Sequence, residues 1–215
     1  MSPTNATLLV IDVQQGFLDA SWGPRNNPGA EANIARLIAA WRRDGRPVRH
    51  VRHSSRSPVG AFFRGTIGHE PKAGAAPAFG EPVHLKEVNS GFIGTSLEQD
   101  LRAAGVDTLV VVGLTTNYCV STTVRMAGNL GFTVDLVEDA TATFDRKGLD
   151  GKMRLAAEVH AAALSDLSEE FASIVGTDDV LRVLEAREPL VICNDGRSDV
   201  RLYAAACNDD CAELR

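Results

Sequence analysis

The sequence has no surplus of positive charge: 22 Lys and Arg stand against 28 Asp and Glu, a formal net charge of −6 at pH 7. Such a chain repels a polyanion, which excludes a dedicated nucleic-acid role. It has no long apolar run either. The longest uncharged stretch, Thr108 to Val124, is broken by Gly113, two Thr pairs and Asn117, so it cannot supply the roughly 20 apolar residues of a membrane span. Cysteines are few, with Cys119 alone mid-chain and Cys193, Cys207 and Cys211 crowded near the end. That is no secreted disulfide framework, and with no signal peptide read at the start the expectation is a cytoplasmic protein. Internal repeats, low-complexity blocks and a convincing linker are also missing. What remains is ordinary globular composition, with 44% hydrophobic and 23% charged residues, and 215 residues bury a sizeable core without metals or staples.

Short runs of Val, Leu and Ile alternate with amphipathic segments, which predicts an α/β fold: a six-stranded, mostly parallel sheet in a three-layer arrangement with helices on both faces. Thr7 to Val13 (TLLVIDV) reads as a first strand buried on both sides. Ala30 to Arg43 reads as a helix with Ile34, Leu37, Ile38 and Trp41 on one stripe, stopped by Gly45. Further strands are expected at 47–51, 83–86, 108–113, 132–137 and 171–175, and further helices at 97–104, 118–129, 151–164 and 178–186. The proline- and glycine-rich stretch from His53 to Pro82 is too long for a plain connection, and a lid or wall is expected there. One domain over 1–186 is predicted, followed by a C-terminal extension, 187–215, of different texture in which LVIC suggests an edge strand.

In an open parallel sheet, ligands bind beyond the carboxyl ends of the strands, where strand order reverses. Asp12 ends the first strand, Lys86 ends the third, and Cys119 follows the fourth by the short turn GLTTNY. Singly each has a bland reading: an inert thiol, a turn acid, a solvated amine. Together they form a set that one topological rule brings to one rim. A thiol attacks as thiolate, and a helix start and a nearby ammonium are expected to lower the pKa of Cys119. Asp12 can take the thiol proton and return it to a leaving amine, while Lys86 holds the two charges together. Backbone N–H groups of the turn point to where an oxyanion would develop, each well-placed donor contributing about 3 kcal/mol.

The segments LLVIDVQQGF, HLKEVNSGFIGTSLEQDLRAAGVDTLVVVGLTTNYCVSTTVRMAGNLGF and VDLVEDATATFD resemble the isochorismatase-like cysteine hydrolases, which include nicotinamidases and N-carbamoylsarcosine amidase, over roughly Thr7 to Leu184. The resemblance implies catalytic Asp12, Lys86 and Cys119, a cis peptide between Leu114 and Thr115, and an oxyanion hole from the N–H groups of Thr115 and Cys119. It also implies a homo-oligomer acting on a small-molecule amide or ureide. Two departures bear on the activity. Nicotinamidases carry an Asp-x-His metal motif after strand two, whereas this chain reads VRHVRHSSRS. His50 and His53, three apart on a strand, face opposite sides, so no metal is predicted. Isochorismatase proper, a vinyl-ether hydrolase, lacks the nucleophilic cysteine that Cys119 supplies here.

Phe17, His53, Phe92, Asn117 and Tyr118 are the candidate substrate-binding residues, with Phe62 and Phe63 contributed by the long loop. Arg52, Arg56 and Arg64 could grip an anionic substrate. His69 and Glu70 read as loop surface, and Cys207 and Cys211 as incidental. No glycine fingerprint for a nucleotide is present, and no organic cofactor is expected. The leading function is hydrolysis of a carbon–nitrogen bond through an acyl-enzyme. The alternatives are an ester or vinyl-ether hydrolase using Asp12 as acid, or a catalytically silent binding protein.

Overall fold

The computed structural model describes residues 6–186 and, as backbone alone, 191–193 and 201–203. Ten strands and five helices follow in order: β1 (Thr7–Ile11), α1 (Ala30–Arg43), β2 (Val48–His53), β3 (Val83–Lys86), α2 (Leu97–Ala103), β4 (Thr108–Leu114), α3 (Ser121–Asn129), β5 (Thr133–Ala142), β6 (Arg146–Lys147), β7 (Met153–Arg154), α4 (Ala156–Ser165), β8 (Ser173–Val175), α5 (Thr177–Glu185), β9 (Val191–Cys193) and β10 (Arg201–Tyr203). Six of them form one parallel sheet in the order β3-β2-β1-β4-β5-β8. The order reverses between β1 and β4, which is the switch point that the sequence argument required.

The apolar runs explain the layers. Every residue of β1 and β4 is buried. Leu9, Ile11, Leu109, Val111, Val134 and Leu136 pack in one cluster with Leu97 and Leu101 of α2 and Val124 and Ala127 of α3. The alternate residues point to the other face, which α1 covers across β1, β2, β4 and β5. On α1 the stripe Ile34, Leu37, Ile38 and Trp41 is buried, and Trp41 Nε1 donates to the Ala6 carbonyl at 3.1 Å. Each fully buried leucine or isoleucine contributes about 2 kcal/mol.

Three local departures from the sequence pattern matter. The helix expected from Gly151 begins at Ala156, because Gly151 takes φ +79° in the turn of a short β6–β7 hairpin. Glu158 accepts from the Leu155 N–H at 2.8 Å and Asp145 from that of Ala156 at 2.7 Å, which starts α4 there. The helix expected from Tyr118 instead opens with a wide π-type turn over Thr116–Val120 before α3. In β5 the register jumps, Val111 pairing with Leu136 but Gly113 with Thr141, so the residues between bulge out. Asp139 in that bulge accepts from Asn33 Nδ2 at 3.0 Å and from the Thr177 hydroxyl at 2.7 Å.

Glu31, in the first turn of α1, ties the helix to both flanks. It accepts from Arg25 at 2.7 Å and from Lys72 at 2.5 Å. Burial raises its pKa, but the hydrogen bonds from Arg25 and Lys72 outweigh that and hold the carboxyl down at about 2, against 4.5 ordinarily. A depressed carboxyl stabilises the fold above its ordinary pKa, and that contribution disappears as pH falls toward the folded value. Glu31→Gln is therefore expected to flatten the acid limb of stability between about pH 5 and pH 2 by roughly 1–2 kcal/mol after solvent screening. Urea midpoints of both proteins at pH 6 and pH 3 test it: an equal loss in both would show that Glu31 carries none of the limb.

Contacts divide the chain into one unit ending at Thr177 and a second, Asp178–Arg215. In the second, Arg182 pairs with Asp179 at 2.9 Å, and β9 and β10 form an antiparallel pair with Arg201 opposite Cys193. Cys207 and Cys211 lie outside the described residues. Among the described residues, no helix is long and apolar enough to cross a membrane.

Candidate active site

Asp12 follows β1 directly, with its N–H bonded to the Val51 carbonyl at 2.9 Å and a backbone φ of +49°. Aspartate is one of the few residues that tolerates this left-handed conformation. The strand thus ends at Ile11, and the carboxylate turns beneath the switch point. His53 and Lys86 are paired neighbours at the ends of β2 and β3, so their side chains leave the sheet together. Lys86 Nζ donates to Asp12 Oδ2 at 2.6 Å and lies 3.3 Å from Cys119 Sγ and 3.3 Å from His53 Nδ1. The side chains of Asp12 and Lys86 are 0% exposed. The three residues predicted from strand ends therefore meet within bonding reach, and His53 joins them.

The approach of β1 and β4 that makes this possible depends on Gly113. A Cβ there would lie 2.0 Å from the Ile11 carbonyl oxygen. Beyond Gly113 the chain passes through the implied cis peptide between Leu114 and Thr115 into the turn carrying Cys119. Thr115 is buried, and among the described residues its N–H meets no backbone acceptor.

The electrostatics correct one expectation. The Cys119 thiol is not acidified: burial pushes its pKa up, the Asp12 carboxylate adds to the rise, and Lys86 offsets only part, leaving it at about 12. The resting site is therefore a thiol beside an ion pair. Among the described residues, Asp12 Oδ1 is buried and has no hydrogen-bond partner of its own, an acceptor poised to take a proton. Burial, then the neighbouring ammonium, lowers the pKa of His53, so it stands as a neutral ring beside Lys86.

The donor atoms of Asp12, His53 and Cys119 lie within 4.8 Å of one another, a spacing that a metal ion could span. The Lys86 ammonium already sits among all three, so the positive charge of this cluster is supplied by the chain. Nor do the residues around β2 fit the metal set of nicotinamidases. His50 is bonded to Glu81 at 2.8 Å, His69 to Ser54 at 2.9 Å, and no aspartate stands between them.

The other candidates are distributed unevenly. Phe17 belongs to an aromatic cluster with Trp22, Phe62 and Phe144 at centroid separations of 4.7–6.2 Å, and Phe62 meets the His53 ring edge-on at 5.7 Å. That cluster is the apolar wall beside the reactive group. Phe92, by contrast, stacks on Phe132 at 5.9 Å in the main core cluster, against which Cys119 also packs; one aromatic in a loop cannot be told from core by sequence. Asn117 accepts from the Thr143 hydroxyl and borders a cleft of about 400 Å³ with Ser121, Arg146 and Arg154, a cleft not lined by Asp12, Lys86 or Cys119. Tyr118 is exposed, with the Arg146 guanidinium 5.0 Å over its ring. Phe63 is half-buried. Arg56 pairs with Glu87 at 2.7 Å and Arg52 lies 3.6 Å from Glu70, so both turn to carboxylates of the chain, while Arg64 is exposed. His69, expected at the surface, is buried against Ser54. Gln14 went unnoticed in the sequence. Fully buried, it accepts from the His53 N–H at 2.8 Å and donates to the carbonyls of His53 at 3.0 Å and His69 at 2.9 Å, which locks the end of β2 in place.

A doubly wound parallel sheet with this charged cluster at its switch point defines a hydrolase of the α/β three-layer class. The chain belongs to the isochorismatase family: the Isochorismatase domain model matches residues 6–179. The crystal structure of an isochorismatase-family protein from Chromobacterium violaceum is similar with a TM-score of 0.85 and 47% identity, covering 86% of this chain and 96% of that one. The uncharacterized isochorismatase family protein YrdC of Bacillus subtilis is 42% identical over 174 residues, 81% of this chain and 93% of its own. Nicotinamidase 3 of Arabidopsis thaliana is 32% identical over 192 residues, 83% of this chain and 88% of its own.

Proposed function

We propose that the protein hydrolyses a carbon–nitrogen bond of a small amide or ureide, with Cys119 as nucleophile. The observation that carries this reading is the Lys86 ammonium bridging Asp12 at 2.6 Å and Cys119 at 3.3 Å in a buried site. The similarity to a nicotinamidase points to the same bond type.

With the thiol protonated at rest, attack and proton transfer go together. Asp12 Oδ1 takes the thiol proton as sulfur bonds to the carbonyl carbon, and the N–H groups of Thr115 and Cys119 receive the oxyanion. The neutral carboxyl of Asp12 then gives its proton to the leaving nitrogen as the C–N bond breaks. A thioester remains; water attacks it with Asp12 again accepting a proton, and as the C–S bond breaks that proton passes to the Cys119 sulfur, which releases the acid and restores the thiol. The Lys86 ammonium, within reach of both, stabilises whichever partner is anionic. His53 and the wall of Phe17 and Phe62 flank the reacting group on one side.

Cys119→Ala removes the bond-forming atom, and ammonia release from a panel of primary amides and ureides is expected to fall at least about 10³-fold for any member that the wild type cleaves. Release that persists at the wild-type rate would overturn the reading. A mass increase on the Cys119 peptide, trapped by acid quench, identifies the acyl half.

A further inference from the structure

The cysteine turn is anchored from behind by a histidine that the reaction does not touch. His160 is buried on α4, and its Nδ1 lies 2.8 Å from the hydroxyl of Thr116, which is fully buried. Thr116 follows the oxyanion residue Thr115 directly and opens the turn that carries Cys119. The ring also has a backbone contact with Glu138, in the bulge of β5. Asn27 Nδ2 is also near, 3.4 Å from His160 Nε2, but its two hydrogens are already given to the carbonyls of Glu138 at 2.9 Å and Thr141 at 2.8 Å. A neutral imidazole has one donor and one acceptor nitrogen. We assign the ring proton to Nε2, on the side of the β5 bulge, which leaves Nδ1 to accept from the Thr116 hydroxyl. Burial lowers the pKa of His160, in keeping with the neutral ring that this chain of donors needs.

We infer that His160 is a positioning residue: through the Thr116 hydroxyl it holds the Thr115 and Cys119 N–H groups and Cys119 Sγ in register with Asp12. The inference rests on the reading of Cys119 as nucleophile and adds to it the residue that sets the turn. It accounts for a buried polar link between α4, the β5 bulge and the turn, a link that an apolar contact would make as firmly but without directional control of the backbone.

An aldehyde probe tests the geometry without knowledge of the substrate. Acetaldehyde labelled with ¹³C at its carbonyl adds to a thiol, forming the S–C bond while the thiol proton passes to the new hydroxyl, and its carbon resonance moves far upfield. The signal absent from Cys119→Ala belongs to Cys119. His160→Gln places its amide at the Nε2 position and abandons Thr116, whereas His160→Asn leaves an oxygen near Nδ1 to accept from it. Adduct affinity is expected to fall about tenfold in His160→Gln and in Thr116→Val, to stay within about threefold of wild type in His160→Asn, and to fall no further in the His160→Gln/Thr116→Val double variant. Melting temperatures taken alongside separate this from loosened packing, which would weaken binding in proportion to lost stability and would not spare asparagine. Wild-type affinity in all variants, or equal loss with Gln and Asn, overturns the positioning role. A wild-type spectrum no different from that of Cys119→Ala would instead overturn the nucleophile assignment, and this inference with it.

Discussion

Lys86→Met is expected to abolish hydrolysis and to destabilise the fold by about 3–5 kcal/mol, the cost of leaving one member of a buried ion pair uncompensated. Both side chains are 0% exposed, and the ammonium is within hydrogen-bond reach of Asp12, Cys119 and His53. Methionine keeps the volume of the stem, so the effect isolates the charge. The double variant Asp12→Asn/Lys86→Met removes both charges, and asparagine tolerates φ +49° as well as aspartate does. It is expected to regain most of the stability and none of the activity. Urea unfolding of the three proteins decides the matter: a double variant as unstable as Lys86→Met would mean that the loss comes from packing and not from an orphaned carboxylate.

Gly113→Ala is expected to destabilise by about 3–5 kcal/mol, since the added methyl meets the Ile11 carbonyl at 2.0 Å on a backbone at φ +129°. Relief requires β1 and β4 to separate at their carboxyl ends, which carries Asp12 away from Cys119, so turnover should fall with stability. Gly131→Ala is the control. At φ +85° and with no atom of the described residues within 4 Å of where its Cβ would stand, it bears only the conformational penalty of about 1 kcal/mol. Equal melting-temperature losses in the two variants would remove the close strand approach from the account of the site.

Much of the architecture is legible in the sequence. The unbroken apolar runs of β1 and β4 require burial on both faces, and from that the parallel sheet, its switch point and the meeting of Asp12, Lys86 and Cys119 follow. Burial of β1 and β4 along their whole length and the order β3-β2-β1-β4-β5-β8 match that reading. Side-chain partners across the fold were not readable. His160 and Thr116 are 44 residues apart, Gln14 and His69 are 55 apart, and neither pair has a spacing that marks it. The start of α4 was misplaced because Gly151 and Lys152 look as compatible with a helix end as with a hairpin turn, and only the caps from Asp145 and Glu158 choose.

Residue order alone determined which chemical groups reach the rim of the sheet, because strand ends and apolar runs are local properties of the chain. Tertiary structure decided the state in which they wait. A helix start and a nearby ammonium, the two features visible in the sequence, point to an acidic thiol. The assembled site surrounds the sulfur with apolar residues and places a carboxylate beside it, raising its pKa to about 12. Desolvation and the sum of opposing charges depend on distances in three dimensions, which the linear order of residues does not contain.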